Sequence, residues 1–79
     1  MQIEFYGVLA EVAGTRKMTL AADEARDVQG VLDALEQRLP ALSGHLPRVA
    51  CAVGDELVMR GETVNAGDTL ALLPPVSGG

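Results

Sequence analysis

Thr69-Leu70-Ala71-Leu72-Leu73-Pro74-Pro75 decides the fold. An unbroken apolar run from Leu70 to Leu73 is closed by two prolines. Such a run, bounded by turn formers, predicts a strand in the middle of a sheet, with both faces covered. The prolines end it, because neither can donate a ladder hydrogen bond and both hold the backbone extended. Asn65-Ala66-Gly67-Asp68, just before it, reads as a turn.

Upstream, Arg60-Gly61-Glu62 is another turn, and Glu56 to Met59 is a short strand. Gly54-Asp55 is a two-residue hairpin signal. It joins that strand to Arg48–Val53, where Val49, Cys51 and Val53 share a face. Ala41 to Pro47 is a connector, with Ser43-Gly44 and Pro47 as turn signals. Before it, Val28, Val31, Leu32, Leu35 and Leu39 recur at helical spacing, opposite Gln29, Asp33, Glu36, Gln37 and Arg38. This predicts an amphipathic helix of about three turns. Asp27 is placed to cap its start after the polar segment Ala22–Arg26, and Pro40 stops it. Gly30 inside the helix is a local weakness of about 1 kcal/mol and is expected to mark a close approach to the sheet. At the start of the chain, Ile3, Phe5 and Gly7 alternate with Glu4, Tyr6 and Val8, which is the period of a strand. Ala13-Gly14-Thr15 turns the chain into a second strand, Lys17–Ala21, making a hairpin with a longer loop.

The order is strand, strand, helix, strand, short strand, strand. It fits an α+β domain in which the first and last strands lie parallel at the centre of the sheet and the helix crosses one face. That is the β-grasp (ubiquitin-like) fold: a mixed sheet of four to five strands with one main helix packed on one face. A ferredoxin-like fold needs a second helix that this pattern lacks. Residues 1–73 form the domain and residues 74–79 an extended tail.

The 79 residues make one domain with a thin core. The formal net charge of −5 disfavours phosphate backbones and so argues against nucleic acid as a partner. Single Cys51 cannot form an internal disulfide, no secretory pattern opens the chain, and no apolar run suits a membrane span. A cytoplasmic location, away from membranes, is expected.

Enzyme chemistry is hard to find. His45 lies in a Gly/Pro-bounded loop and reads as solvated. Cys51 shares a face with Val49 and Val53 and reads as a small core residue. Asp55 and Glu56 sit in a tight hairpin, where acidic residues form turns. There is no second histidine to make a metal pair, so no metal site is expected.

The ending Pro74-Pro75-Val76-Ser77-Gly78-Gly79 is more informative. Six residues reach at most about 20 Å, from a stiff base to a tip without side chains. This shape suits threading a free carboxylate into a narrow active site, where glycine permits close approach. A carboxylate alone is a poor acyl donor, so activation by a separate enzyme is implied, and a mixed anhydride with AMP is a form that can then be attacked by a sulfur or nitrogen nucleophile.

These residues resemble a known family. Leu72-Leu73-Pro74-Pro75-Val76-Ser77-Gly78-Gly79 is similar to the C-terminal signature of the small subunits of molybdopterin synthase, the sulfur carriers of molybdenum-cofactor synthesis. Asn65–Asp68, Cys51–Glu56, Phe5-Tyr6-Gly7 and Ala10–Gly14 extend the resemblance over nearly the whole chain; the family often has Asn where Gly54 stands. The resemblance implies that the Gly79 carboxylate is adenylylated by an enzyme of the ubiquitin-activating type, using ATP, and converted to a thiocarboxylate. Gly78, Ser77, Val76, Pro75 and Pro74 would thread into the large synthase subunit, within a heterotetramer of two carriers and two large subunits. No cofactor would be bound permanently, and the chain would donate sulfur without being a catalyst itself. Tyr6, Leu57 and Leu73 match the family's apolar contact residues, although Phe is usual at the first and last. Related readings are a sulfur carrier for thiamine or cysteine synthesis, a ubiquitin-like protein modifier, and a plain interaction domain with an inert tail.

Overall fold

The computed structural model describes residues 1–21 and 26–75, with backbone alone at position 26. The chain order is β1 (Gln2–Phe5), α1 (Val8–Ala13), β2 (Lys17–Thr19), β3 (Arg26–Asp27), α2 (Val28–Arg38), two 3₁₀ turns (Pro40–Leu42 and Leu46–Arg48), β4 (Ala50–Val53), β5 (Glu56–Val58), β6 (Thr63–Val64) and β7 (Thr69–Leu73). Five strands form one sheet in the order β2-β1-β7-β4-β5, and β3 pairs with β6 in a separate ribbon. β1 and β7 are parallel, with Ile3 opposite Leu70 and Phe5 opposite Leu72. The other pairs are antiparallel. This is the β-grasp arrangement, with the first and last strands adjacent at the centre.

The core lies between α2 and one face of the sheet. Val28, Val31, Leu32 and Leu35 of α2 are buried, together with Ile3, Phe5, Cys51, Leu70 and Leu72 of the sheet. Asp27 caps α2: its backbone is extended (φ −83°, ψ 164°), and its carboxylate accepts from Gly30 N–H at 2.8 Å. Such a cap is worth about 1 kcal/mol. Gly30 serves this cap and not the sheet, because a Cβ there would lie 2.9 Å from Asp27 Oδ1 and near no sheet atom.

Three further features depart from the sequence reading. The first strand stops at Phe5, and the loop of the predicted hairpin holds the six-residue helix α1. Gly7 (φ 58°) enters that helix and Gly14 (φ 77°) leaves it, while Leu9 plugs the end of the core. The ribbon β3–β6 was not anticipated, since two residues cannot show a period. Thirdly, β7 is covered on one face only. Leu70 and Leu72 are fully buried, whereas Thr69 is exposed and Ala71 and Leu73 are half-buried.

The predicted connector is ordered by Arg60. Its guanidinium donates to the carbonyls of Leu46 (3.0 Å) and Val49 (2.9 Å), and to Cys51 Sγ at 3.6 Å. These bonds bind the second 3₁₀ turn to the turn after β5.

Candidate functional site

The uncovered face of the sheet surrounds the root of the C-terminal tail. Strand register places its residues. Glu4, Ala71, Ala52 and Leu57 lie in one row across β1, β7, β4 and β5, and Leu73 stands opposite Ala50 in the next. Opposed residues on neighbouring strands point to the same face. Tyr6 extends this face beyond β1, because its N–H still donates to the Leu72 carbonyl (3.2 Å) and so keeps the strand's alternation.

The result is a shallow apolar surface with small residues at its centre and large ones at its rim. Ala52 is 8% exposed, while Tyr6 is 46% and Leu57 70%. Tyr6, Leu57 and Leu73, identified from the sequence, therefore share one face. Ala50, Ala52 and Ala71 between them were missed, because alanine gives no signal of its own; only the register reveals that they make the floor. The Tyr6 hydroxyl donates to Glu4 Oε1 at 3.0 Å. That bond, reinforced by the negative charge of Glu4, pushes the phenol pKa above its ordinary value.

Gly7 is the other residue that sequence reasoning undervalued. At φ 58° it turns the chain sharply, and a Cβ there would lie 3.0 Å from Pro74 Cγ. The glycine lets Pro74 seat against the end of β1, fixing the tail's point of departure. Its sequence signal was a glycine in the last apolar-face position of the strand's alternation. Pro74 is half-buried and Pro75 exposed. Val76, Ser77, Gly78 and Gly79 lie outside the described residues.

Cys51, His45, Asp55 and Glu56 stand apart from this face. Cys51 points into the core, where burial pushes its thiol pKa up and the neighbouring Arg60 only partly opposes the shift. A thiol held protonated in this way is a poor nucleophile. His45 is partly buried between the two 3₁₀ turns, and Asp55 and Glu56 are exposed at the β4–β5 turn. Among the described residues no group of three or more His, Cys, Asp and Glu is placed to hold a metal ion. None of the described helices is long and apolar enough to cross a membrane.

A model of the ThiS family matches residues 3–79. The chain is 37% identical to small archaeal modifier protein 1 of Haloferax volcanii, with all of both chains covered. The crystal structure of that protein superposes with a TM-score of 0.83, covering 99% of this chain and 97% of the other. The molybdopterin synthase sulfur carrier subunit of Mycobacterium tuberculosis is 28% identical, over 100% of this chain and 96% of its own length. A complex of subunits 1 and 2 of the molybdopterin-converting factor of Helicobacter pylori contains a chain that is 26% identical, with a TM-score of 0.66 and coverage of 99% and 96%.

Proposed function

The chain belongs to the ThiS family of small, ubiquitin-like sulfur carriers, and from that premise we propose that it carries sulfur on Gly79 as the small subunit of a molybdopterin synthase. The Gly79 carboxylate attacks the α-phosphorus of ATP on a ubiquitin-activating-type adenylyltransferase, releasing pyrophosphate. A sulfur nucleophile then displaces AMP and leaves a thiocarboxylate. The large subunit receives the tail, and sulfur passes to a pterin precursor. The observation that carries this reading is the course of β7. It runs through the centre of the sheet and delivers Pro74 and Pro75 beside the open apolar face. A partner seated on Tyr6, Leu57 and Leu73 therefore receives the tail from the same side. The H. pylori complex, in which a relative is paired with a second subunit, supports that partnership.

Intact-protein mass spectrometry tests it, after incubation with ATP, a sulfur source and the cognate adenylyltransferase. A mass gain of sulfur for oxygen, mapped to Gly79, is expected, and extending the chain by one residue abolishes it without unfolding the domain. Conversion of the extended chain at the normal rate would overturn the assignment.

Full-length similarity to the Haloferax modifier favours a second reading, in which the same activated carboxylate is transferred to lysines of other proteins. Gly79-linked isopeptides in extracts of the native cells would support it. Their absence, with thiocarboxylate present, would leave the carrier reading alone.

A further inference from the structure

The sequence contains one lysine, Lys17. It is exposed on β2, an edge strand of the sheet, directly opposite Glu4. Glu4 belongs to the row that holds Ala71, Ala52 and Leu57, so Lys17 projects from the open face. It also lines an open groove with Tyr6, Gly7 and Arg16, beside the root of the tail. The other groups that compete for an acyl donor are poorly placed. The arginines stay protonated. The Cys51 thiol is buried, and the amine of Met1 is partly buried and donates to the Leu20 carbonyl at 2.9 Å.

We propose that Lys17 is the acceptor for self-conjugation, taking the activated Gly79 acyl group of a second copy of this chain. The inference rests on the reading that Gly79 is activated as an acyl adenylate. The deprotonated Lys17 Nζ attacks the Gly79 carbonyl carbon. A C–N bond forms, the C–O bond to AMP breaks, AMP departs with the electron pair, and the amine proton passes to solvent. The product is an isopeptide, and no oxidant or reductant is needed.

Strand geometry favours a second copy over attack by the chain's own tail. Lys17 lies two strands from β7, about 10 Å across the sheet. Pro75 is four residues beyond Ala71 in the matching row, about 13 Å further along an extended backbone. The own tail would have to reverse direction directly after Pro75 and run back beside its own strand within four residues, whereas the tail of another copy meets no such constraint. The linkage also places a whole domain on the docking face of the acceptor, which withdraws that copy from its partners.

The test uses wild-type chain and Lys17→Arg, each incubated with ATP and the cognate adenylyltransferase, without a sulfur source and then with one. Without sulfur, the wild type gives a species of twice the chain mass less one water, and fragmentation places the bond between Gly79 and Lys17. Lys17→Arg loses that species at least tenfold, yet forms thiocarboxylate as the wild type does once sulfur is supplied. A dimer persisting in Lys17→Arg, or a wild type that forms thiocarboxylate but no dimer, overturns the inference. If neither variant forms adenylate or thiocarboxylate, the reading of Gly79 falls and this inference falls with it.

Discussion

The two faces of the sheet are built by the same strands and differ in what covers them. On one face Ile3, Phe5, Leu70 and Leu72 sit beneath α2 and are almost wholly withdrawn from water. On the other, the alternate residues of those strands and their neighbours give Tyr6, Ala71, Leu73 and Leu57, also largely apolar, with no element of the described chain above them. The first face holds the fold together. The second carries an apolar patch, bordered by Glu4 and Lys17, that no element of the described residues covers, as expected of a surface that docks a partner.

Substitutions on each face test this division. Leu72→Ala, on the covered face, is expected to cost about 2–5 kcal/mol by removing methyl groups and leaving a cavity. Urea denaturation measures it, and a loss under 1 kcal/mol would mean that the helix-side packing is not what holds the domain. Gly7→Ala, where the edge of the open face meets the tail, is expected to cost about 1–3 kcal/mol, from the positive φ and the crowding of Pro74. Its additional signature is weaker docking from a displaced tail root, which a purely local strain would not produce. Leu57→Asp should leave stability within about 0.5 kcal/mol while weakening docking to the proposed large-subunit partner roughly tenfold, or about 1.4 kcal/mol. Unchanged affinity would remove Leu57 from the interface.

The smallest effect concerns pH. The buried Cys51 thiol keeps its proton to higher pH in the native state than in the unfolded chain. Above the ordinary thiol range the unfolded state therefore binds fewer protons, and stability falls as pH rises; below that range this group contributes no slope. Because Tyr6 also titrates at alkaline pH, the comparison belongs in a Tyr6→Phe background. There Cys51→Ala should flatten the alkaline decline, and an unaltered slope would assign it to other groups.

Much of this division was legible in the amino-acid order. The recurrence of Val28, Val31, Leu32 and Leu35 marked the covering helix, and Asp27 marked its start, because burial and capping leave local patterns. The alternation of Ile3 and Phe5 against Glu4 and Tyr6 separated the two faces of β1. What escaped was short or non-local. Val8–Ala13 spans too few residues for helical periodicity to outweigh the glycines around it. The expectation that β7 is covered on both faces treated an apolar strand as proof of a second cover. Ala71 and Leu73 show that apolar residues can be left for a partner. Gly30 was expected to mark an approach to the sheet and instead makes room for the Asp27 carboxylate, while Gly7, read only as part of a strand, makes room for Pro74.

The pairing of β1 with β7 also constrains how the domain is made. Ile3 and Leu70 are neighbours in the sheet but are almost a full chain apart in synthesis. Contacts so distant in sequence form late, after the entropy of closing a long loop has been met. A chain emerging from the ribosome has its covering helix and N-terminal hairpin early, but no central strand to join them. Residues 1–66 alone are therefore expected to lack a cooperative unfolding transition, which circular dichroism during heating would show. The strand that closes the sheet is also the one that leads to Gly79. Birth order thus acts as inspection: Gly79 is added to the chain only after the strand that completes the sheet has been made.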